Sequence, residues 1–232
     1  MDNPLISVII AVKNGERFLA SAIHSVLDQD YRPFEMIVVD GQSVDKTAEI
    51  AKSFETIHYI YQVDQGIANA YNIGIEAARG EFVAFLSHDD LWTPDKLSAQ
   101  MSHMLAHPEI QYTVAKVKFF LEPGCSIPPG FRKELLENDH VGHIMETLVA
   151  RRALFEAIGK FDPSLTISED VDWFARAIDN DIPMTVLPRV LLLKRVHEVN
   201  LSLTTPAGHQ YLLKALRRSI ARKHNQECAE ER

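Results

Sequence analysis

Two carboxylates stand side by side in Asp89-Asp90, after the apolar run Phe82–Leu86 and before Leu91-Trp92. Adjacent carboxylates repel, so a pair at a strand end calls for a cation or a solvated edge. A hard divalent ion suits them, because Mg²⁺ commonly takes one or two carboxylates plus substrate phosphates. A metal held there would neutralise a departing pyrophosphate. The competing structural reading is a turn with a helix cap downstream, which an isolated Asp pair would favour.

Three further groups could take part. Asp40 ends the apolar run Met36–Val39, and the following Gly41-Gln42-Ser43 lets the backbone approach a ligand. The plain alternative is a β-turn with Asp45 as a helix cap. Glu169-Asp170 opens a helical pattern, where acids suit the helix dipole. If that helix start faces a cleft, one of the carboxylates can deprotonate an incoming hydroxyl. Arg195, His197, Asn200 and Ser202 gather polar groups after the last apolar run, and a neutral His197 can complete a metal shell or, protonated, pair with phosphate.

The elements that must position these groups alternate. Leu5–Val12 reads as a strand buried on both faces, Phe18–Gln29 as a helix, and Met36–Val39 as a strand. Asp45 caps a helix through Phe54, Ile57–Tyr61 is a third strand, and Gly66–Arg79 is a helix stopped by Gly80. Phe82–Leu86 is the fourth strand, and Thr93-Pro94 opens another helix with Thr at its cap. The pattern predicts an α/β fold with a mainly parallel central sheet flanked by helices, and such sheets bind ligands beyond the carboxyl ends of their strands. Lys13-Asn14-Gly15, Asp40-Gly41-Gln42-Ser43 and His88-Asp89-Asp90 all fall at those ends.

The second half is less regular. Pro123–Pro129 reads as a loop and Glu134–His143 as a polar, mobile stretch. Leu148–Ile158 reads as a strand running into a helix, and Met184–Leu193 as a late strand. The helix from Ser168 is expected to carry Val171, Phe174, Ala175 and Ile178 on one side.

With 232 residues, 46% hydrophobic and 24% charged, the composition is that of a globular chain. A net charge of -8 argues against a nucleic-acid partner, whose phosphates demand clustered cations. No apolar run approaches the ~20 residues of a membrane span. Met1-Asp2-Asn3-Pro4 lacks the basic start of a secretory signal, so a cytoplasmic location is expected. Cys125 and Cys228 form no CxxC pair and read as reduced thiols.

In order and spacing, these segments resemble the family 2 glycosyltransferases, which have the GT-A fold. Ser7–Gly15 is similar to the family's first strand and loop, Ile37–Thr47 to its second, and Gly66–Gly74 to its nucleotide-side helix. Phe85–Trp92 resembles the metal motif, written D-x-D or D-x-D-D. Arg152–Phe161 and Ser168–Arg176 resemble the acceptor-side segment with its Glu-Asp pair, and Arg195-x-His197 with Asn200-Leu201-Ser202 the closing motif.

The resemblance covers roughly residues 5 to 203. It implies a glycosyltransferase domain over 1–205, with a nucleotide half to about 110 and an acceptor half from about 111. It implies inverting transfer from a nucleoside-diphosphate sugar, with a UDP-sugar first among donors, to a saccharide or lipid-linked saccharide, in polysaccharide or glycoconjugate synthesis. Ala11, Val12, Asn14, Asp40, Gly41, Asn72, Ser87 and His88 are then assigned to the nucleotide. Asp89, Asp90 and His197 are assigned to Mg²⁺ or Mn²⁺, and Asp170 to the general base with Glu169 as its substitute.

The chain departs from the pattern at Ser87, where Asp is common, and at Gly41, which replaces the second Asp of a frequent pair. Lys13 replaces an aromatic residue, and Tyr71 stands where Arg is often found. Ser87 and Gly41 alone support the rival reading of a non-catalytic nucleotide-binding member or assembly subunit, and the retention of Asp89, Asp90, Asp170 and His197 argues against it. A nucleotidyltransferase would begin with a Gly-rich basic loop in place of Lys13-Asn14-Gly15, and a dinucleotide oxidoreductase with GxGxxG. Residues 206–232 form a basic helical extension containing Lys214, Arg217, Arg218, Arg222 and Lys223. Its first reading is a helix packed on the domain, with Tyr211, Leu212, Ala215, Leu216 and Ile220 near one side and a solvated basic face. Its second is a peripheral contact with anionic lipid.

Overall fold

Strand β1 (Ile6–Val12) is buried along its whole length, because alternate side chains feed two separate cores. Ile6, Val8, Ile10 and Val12 face one core, while Ile9 and Ala11 face the other, as the period-2 geometry of a strand dictates. The computed structural model describes residues 3–165, 168–198, 200, 213 and 216–222. Helix α1 (Leu19–Leu27) follows, then β2 (Phe34–Asp40), α2 (Thr47–Lys52), β3 (Ile57–Tyr61), α3 (Ile67–Ala77), β4 (Phe82–Ser87) and β5 (Leu91–Trp92). The second half contains α4 (Lys96–Ala106), β6 (Tyr112–Leu121), β7 (Asp139–Gly142), β8 (Val149–Arg151), α5 (Leu154–Ala157), α6 (Glu169–Asp179) and β9 (Met184–Val196).

The strands form one sheet in the order β3-β2-β1-β4-β8-β6-β9-β5, with β7 paired to β6. β1, β2, β3 and β4 pair in parallel, as do β6 and β9; β5, β7 and β8 join antiparallel. The sheet is therefore the expected mainly parallel one with antiparallel additions. Helices α1, α2 and α4 pack on one face and α3, α5 and α6 on the other. The second core is aromatic: Phe155 stacks on Trp173 at 4.8 Å, Phe85 and Phe161 tilt against Phe155, and Tyr71 and Phe161 meet Phe85 edge to face.

Several local expectations are corrected. Helix α3 ends at Ala77, before Gly80; a Cβ on Gly80 would lie 2.7 Å from Leu5 O and Ser7 N, so this glycine serves strand contact rather than helix termination. Helix α4 begins at Lys96, and Thr93 Oγ1 donates to Asp95 Oδ1 at 2.8 Å instead of capping. The stretch expected to be mobile contains a 3₁₀ turn at Lys133–Leu136 and strand β7. Strand β6 was hidden because its exposed side carries lysine, and its partners β7, β8 and β9 all lie later in the chain. Helix α6 buries Trp173, Phe174 and Ala177 but leaves Ile178 exposed, so its inner face is rotated from the expected one. Strand β9 runs three residues beyond Leu193, past an irregularity around Pro188, which has no N–H for the ladder.

The C-terminal extension is turned over relative to its first reading. Arg222 Nε donates to Asp179 at 2.8 Å and Arg218 to Asp162 at 2.5 Å, so these cations face the domain. Leu216 and Ile220 point outward. Tyr211, Leu212, Lys214, Ala215 and Lys223 lie outside the described residues.

Candidate active site

Parallel registry builds the first half of the site. Val12 lies opposite Asp40, and Ala11 opposite Ser87, so the carboxyl ends of β1, β2 and β4 share one edge. The loops leaving it are tied together. Asn14 N–H donates to Ser43 Oγ at 2.8 Å, Val44 N–H to Asn14 Oδ1 at 3.0 Å, and Gly15 N–H to Thr47 Oγ1 at 2.8 Å. A Cβ on Gly15 would sit 2.7 Å from His88 Cδ2, so only glycine lets His88 lie against this loop. Burial keeps the His88 imidazole below its usual pKa, against the pull of Asp89, which favours a neutral ring.

Asp40 is 1% exposed, accepting from Tyr59 Oη at 2.8 Å and Ser43 N–H at 2.9 Å. Gly41 N–H donates to Val12 O at 2.7 Å, closing the turn. Asp40 and Gly41 thus shape the loop framing the edge. Asn72 is committed elsewhere: its amide donates to Phe161 O at 2.9 Å and accepts from Phe161 N–H at 3.0 Å, clasping α3 to the segment before α6.

The adjacent carboxylates divide their work. His197 Nε2 stands 3.1 Å from Asp89 Oδ2, with Asn200 Nδ2 at 3.4 Å from the same oxygen. Asn200 Oδ1 also accepts from His197 N–H at 2.7 Å, and the Phe18 ring packs 4.9 Å from the imidazole. Burial opposes ionisation of Asp89, but the His197 bond and neighbouring cationic groups outweigh it and hold the carboxyl well below its usual range. Asp90, 1% exposed, turns inward, accepting from Lys194 Nζ at 2.8 Å and from Arg195 N–H at 2.8 Å. Burial raises its pKa against the opposing ammonium. The expectation that both carboxylates face a metal is therefore divided: Asp89 is paired with His197, and Asp90 is held by strand β9.

Lys194 and Glu146 link this pair to the other half of the site. Ser87 Oγ donates to Glu146 Oε1 at 2.6 Å, and Lys194 Nζ donates to the same oxygen at 3.1 Å. Ser87, where the family pattern has Asp, thus satisfies a buried glutamate. Burial works against the Lys194 charge, but Asp90, Glu146 and Asp89 hold its pKa well above the usual value. Replacement of Lys194 by Met would leave these carboxylates buried without their cation. Urea unfolding should show a loss of roughly 3–5 kcal/mol; an unchanged midpoint would remove Lys194 as the charge at the centre of the site.

Helix α6 brings the remaining acids. Burial, with Glu146 adding to it, pushes Asp170 up to about 6, while Val171 N–H and Lys194 oppose the rise. Glu169 is less exposed to solvent than Asp170, and burial with the charge of Asp170 pushes it up to about 8. Near neutral pH, Asp170 is then mostly ionised and Glu169 mostly protonated. Lys194 acts electrostatically on both Asp89 and Asp170, so the two ends of the site share one charge network.

Lys194 and Glu146 had not been singled out from the chain. For Lys194 the available signal was a cation following Leu191-Leu192-Leu193 in an apolar strand; for Glu146 there was none, since it lies on a 3₁₀ turn in the irregular half. Among the described residues, no group of three His, Cys, Asp or Glu side chains gathers into a metal-holding cluster. Asp89 and His197 are of the types that could hold a divalent ion, but as two groups they fall short of a full shell.

Comparisons with known proteins bear on the family and the fold. The family model "Glycosyl transferase family 2" matches residues 7–159. An uncharacterized glycosyltransferase of Rickettsia typhi is 33% identical over 213 residues, covering 84% of this chain and 65% of its own length. The structure of S. aureus TarS 1-349 with UDP-GlcNAc superposes with a TM-score of 0.74 at 21% identity, over 94% of this chain and 66% of that one. The mannosyltransferase PcManGT of Pyrobaculum calidifontis, with GDP-Man and Mn²⁺, gives 0.70 at 18% identity, over 95% and 65%. With a family match across most of its length and the fold of the GT-A enzymes, the chain belongs to glycosyl transferase family 2.

Proposed function

We propose that the chain transfers a sugar from a nucleoside-diphosphate sugar to an acceptor hydroxyl with inversion. The observation that carries this reading is the bonded cluster of Asp89 with His197 and of Asp90 and Glu146 with Lys194 at the strand ends, with Asp170 near enough for Glu146 and Lys194 to act on its charge. The acceptor is a saccharide or a lipid-linked saccharide, in polysaccharide or glycoconjugate synthesis. The alignment of Ala11, Val12, Asp40 and Ser87 along one edge, with Asn14, Gly41 and His88 on its loops, supports nucleotide binding there. UDP is the first candidate and GDP the second, since the neighbouring structures carry UDP-GlcNAc and GDP-Man.

Asp170 takes the proton from the acceptor hydroxyl. The freed oxygen forms a bond to the anomeric carbon while the bond from that carbon to the diphosphate oxygen breaks, its electron pair leaving with the diphosphate. One displacement from the opposite face inverts the centre. Asp89 and His197 would hold Mg²⁺ or Mn²⁺, which would supply charge neutralisation for the departing diphosphate. A Mn²⁺-bearing neighbour supports that choice of ion.

Calorimetric titration with UDP, GDP, CDP and dTDP should show one diphosphate that binds with Mn²⁺ and is released by EDTA. Silence from all of them would sink the donor assignment and favour a non-catalytic member of the family.

A further inference from the structure

Beyond Lys194, a cavity of about 290 Å³ opens between strands β6 and β9 and the turn at Gly130–Leu135. Its walls have two characters. Phe119, Phe131 and Leu135 form an apolar side, with the Phe119 and Phe131 rings 6.0 Å apart; Lys194 and Asn200 mark the side that meets the active site. Gly130, at φ +84°, has open space around its missing Cβ and provides the backbone bend before Phe131.

Charge on the lining is unbalanced. Lys194 is neutralised by Asp90 and Glu146, and Arg195 by Glu122. Arg132 also lines the cavity, is exposed, and has no acidic partner among the described residues; no carboxylate there lines the cavity either. A guanidinium presents a rigid fork that matches carboxylate or phosphate oxygens in pairs. Aromatic faces beside such a fork suit a sugar ring bearing an anionic group. The cavity is bounded by β6, β9 and the turn between β6 and β7, while the nucleotide edge is built from β1, β2 and β4.

We infer that this cavity is the acceptor subsite and selects an anionic saccharide, with Arg132 binding its carboxylate or phosphate and Phe131 packing on the ring. The inference rests on the glycosyl-transfer reading above and adds the chemical class of the acceptor. The carboxylate and the phosphate share the same recognition chemistry, so the experiment carries an arm for each.

Methyl glucuronoside, glucose 1-phosphate and neutral methyl glucoside are titrated into wild type, Arg132→Gln, Arg132→Lys and Phe131→Ala, with and without the diphosphate selected above. At least one anionic probe should bind wild type more tightly than the neutral glycoside, and the tighter of the two names the anion. Arg132→Gln should weaken it about 10- to 100-fold, Arg132→Lys less, and Phe131→Ala should weaken charged and neutral probes alike. Diphosphate affinity should be unchanged in every variant. Equal binding of anionic and neutral probes, no binding of any probe to wild type, or an Arg132→Gln protein that binds like wild type would overturn the inference. So would Arg132→Gln weakening the diphosphate instead, which would assign the arginine to the donor. Wild type that binds no diphosphate strikes the transfer reading itself, while the titrations without diphosphate still read the anion preference.

Discussion

Asp170→Asn is expected to lower the rate of transfer by about 10²–10⁴-fold while diphosphate affinity stays close to that of wild type. The substitution keeps size and hydrogen bonding but removes the basic oxygen, so the loss falls on the chemical step. The surroundings of Asp170 make the prediction specific. Burial and Glu146 push its carboxyl up to about 6, high enough to hold a proton in transit and low enough to be ionised at pH 7. Activity requires the deprotonated form, so kcat/KM should fall as pH drops below about 6, with a slope approaching tenfold per pH unit. The residual activity of Asp170→Asn should lack that limb. Glu169→Gln is the control: its parent side chain is already protonated near neutrality, so the variant should keep the limb near 6. A variant at Asp170 that turns over like wild type would transfer the role elsewhere, with Glu169 next to be tested.

The second large effect is at Asp89. Asp89→Asn should weaken Mn²⁺-dependent diphosphate binding by at least about 100-fold, since even outer partners of metal ligands are worth about 10–100-fold. The carboxyl is held well below its usual range and faces His197 Nε2 at 3.1 Å, so on the proposed reading the two groups act on the ion together. Asp90→Asn separates this role from its neighbour. Asp90 bonds Lys194 and the Arg195 N–H, so its loss should appear first as reduced stability, with metal-dependent binding retained in the folded fraction. Calorimetry with and without EDTA on the two variants, beside their urea midpoints, reads both effects. Normal diphosphate binding by Asp89→Asn would end the metal assignment.

The division between Asp89 and Asp90 also marks the limit of local reading. Period-2 burial in β1, β2 and β4 was visible because each strand is apolar on both faces, and the loops after them were visible because Asn14-Gly15, Asp40-Gly41 and His88-Asp89 interrupt those runs. The family motifs added the expected roles of Asp89, Asp170 and His197. Strand β6 was not legible: its outward lysines dilute the apolar signal, and its stability comes from β8 and β9, which occur later in the chain. The inner face of α6 differs from the apolar pattern because Asp172 and Asp179 are buried in pairs with Arg176 and Arg222.

By itself, then, the sequence determined the alternating α/β order, the placement of carboxylates at strand ends and the family to which they belong, all of which depend on short-range patterns. Only the tertiary structure decided the partners and ionisation of each acid in the two pairs. Asp90 is taken by a lysine 104 positions away, and Glu146 by a serine 59 positions away, so their burial and ionisation depend on partners that no local window contains. The same long-range packing raises Glu169 above Asp170, turns the C-terminal arginines toward the domain, and leaves Arg132 facing a cavity without an acid. Ionisation and exposure are properties of the assembled neighbourhood, because desolvation and charge pairing act through space.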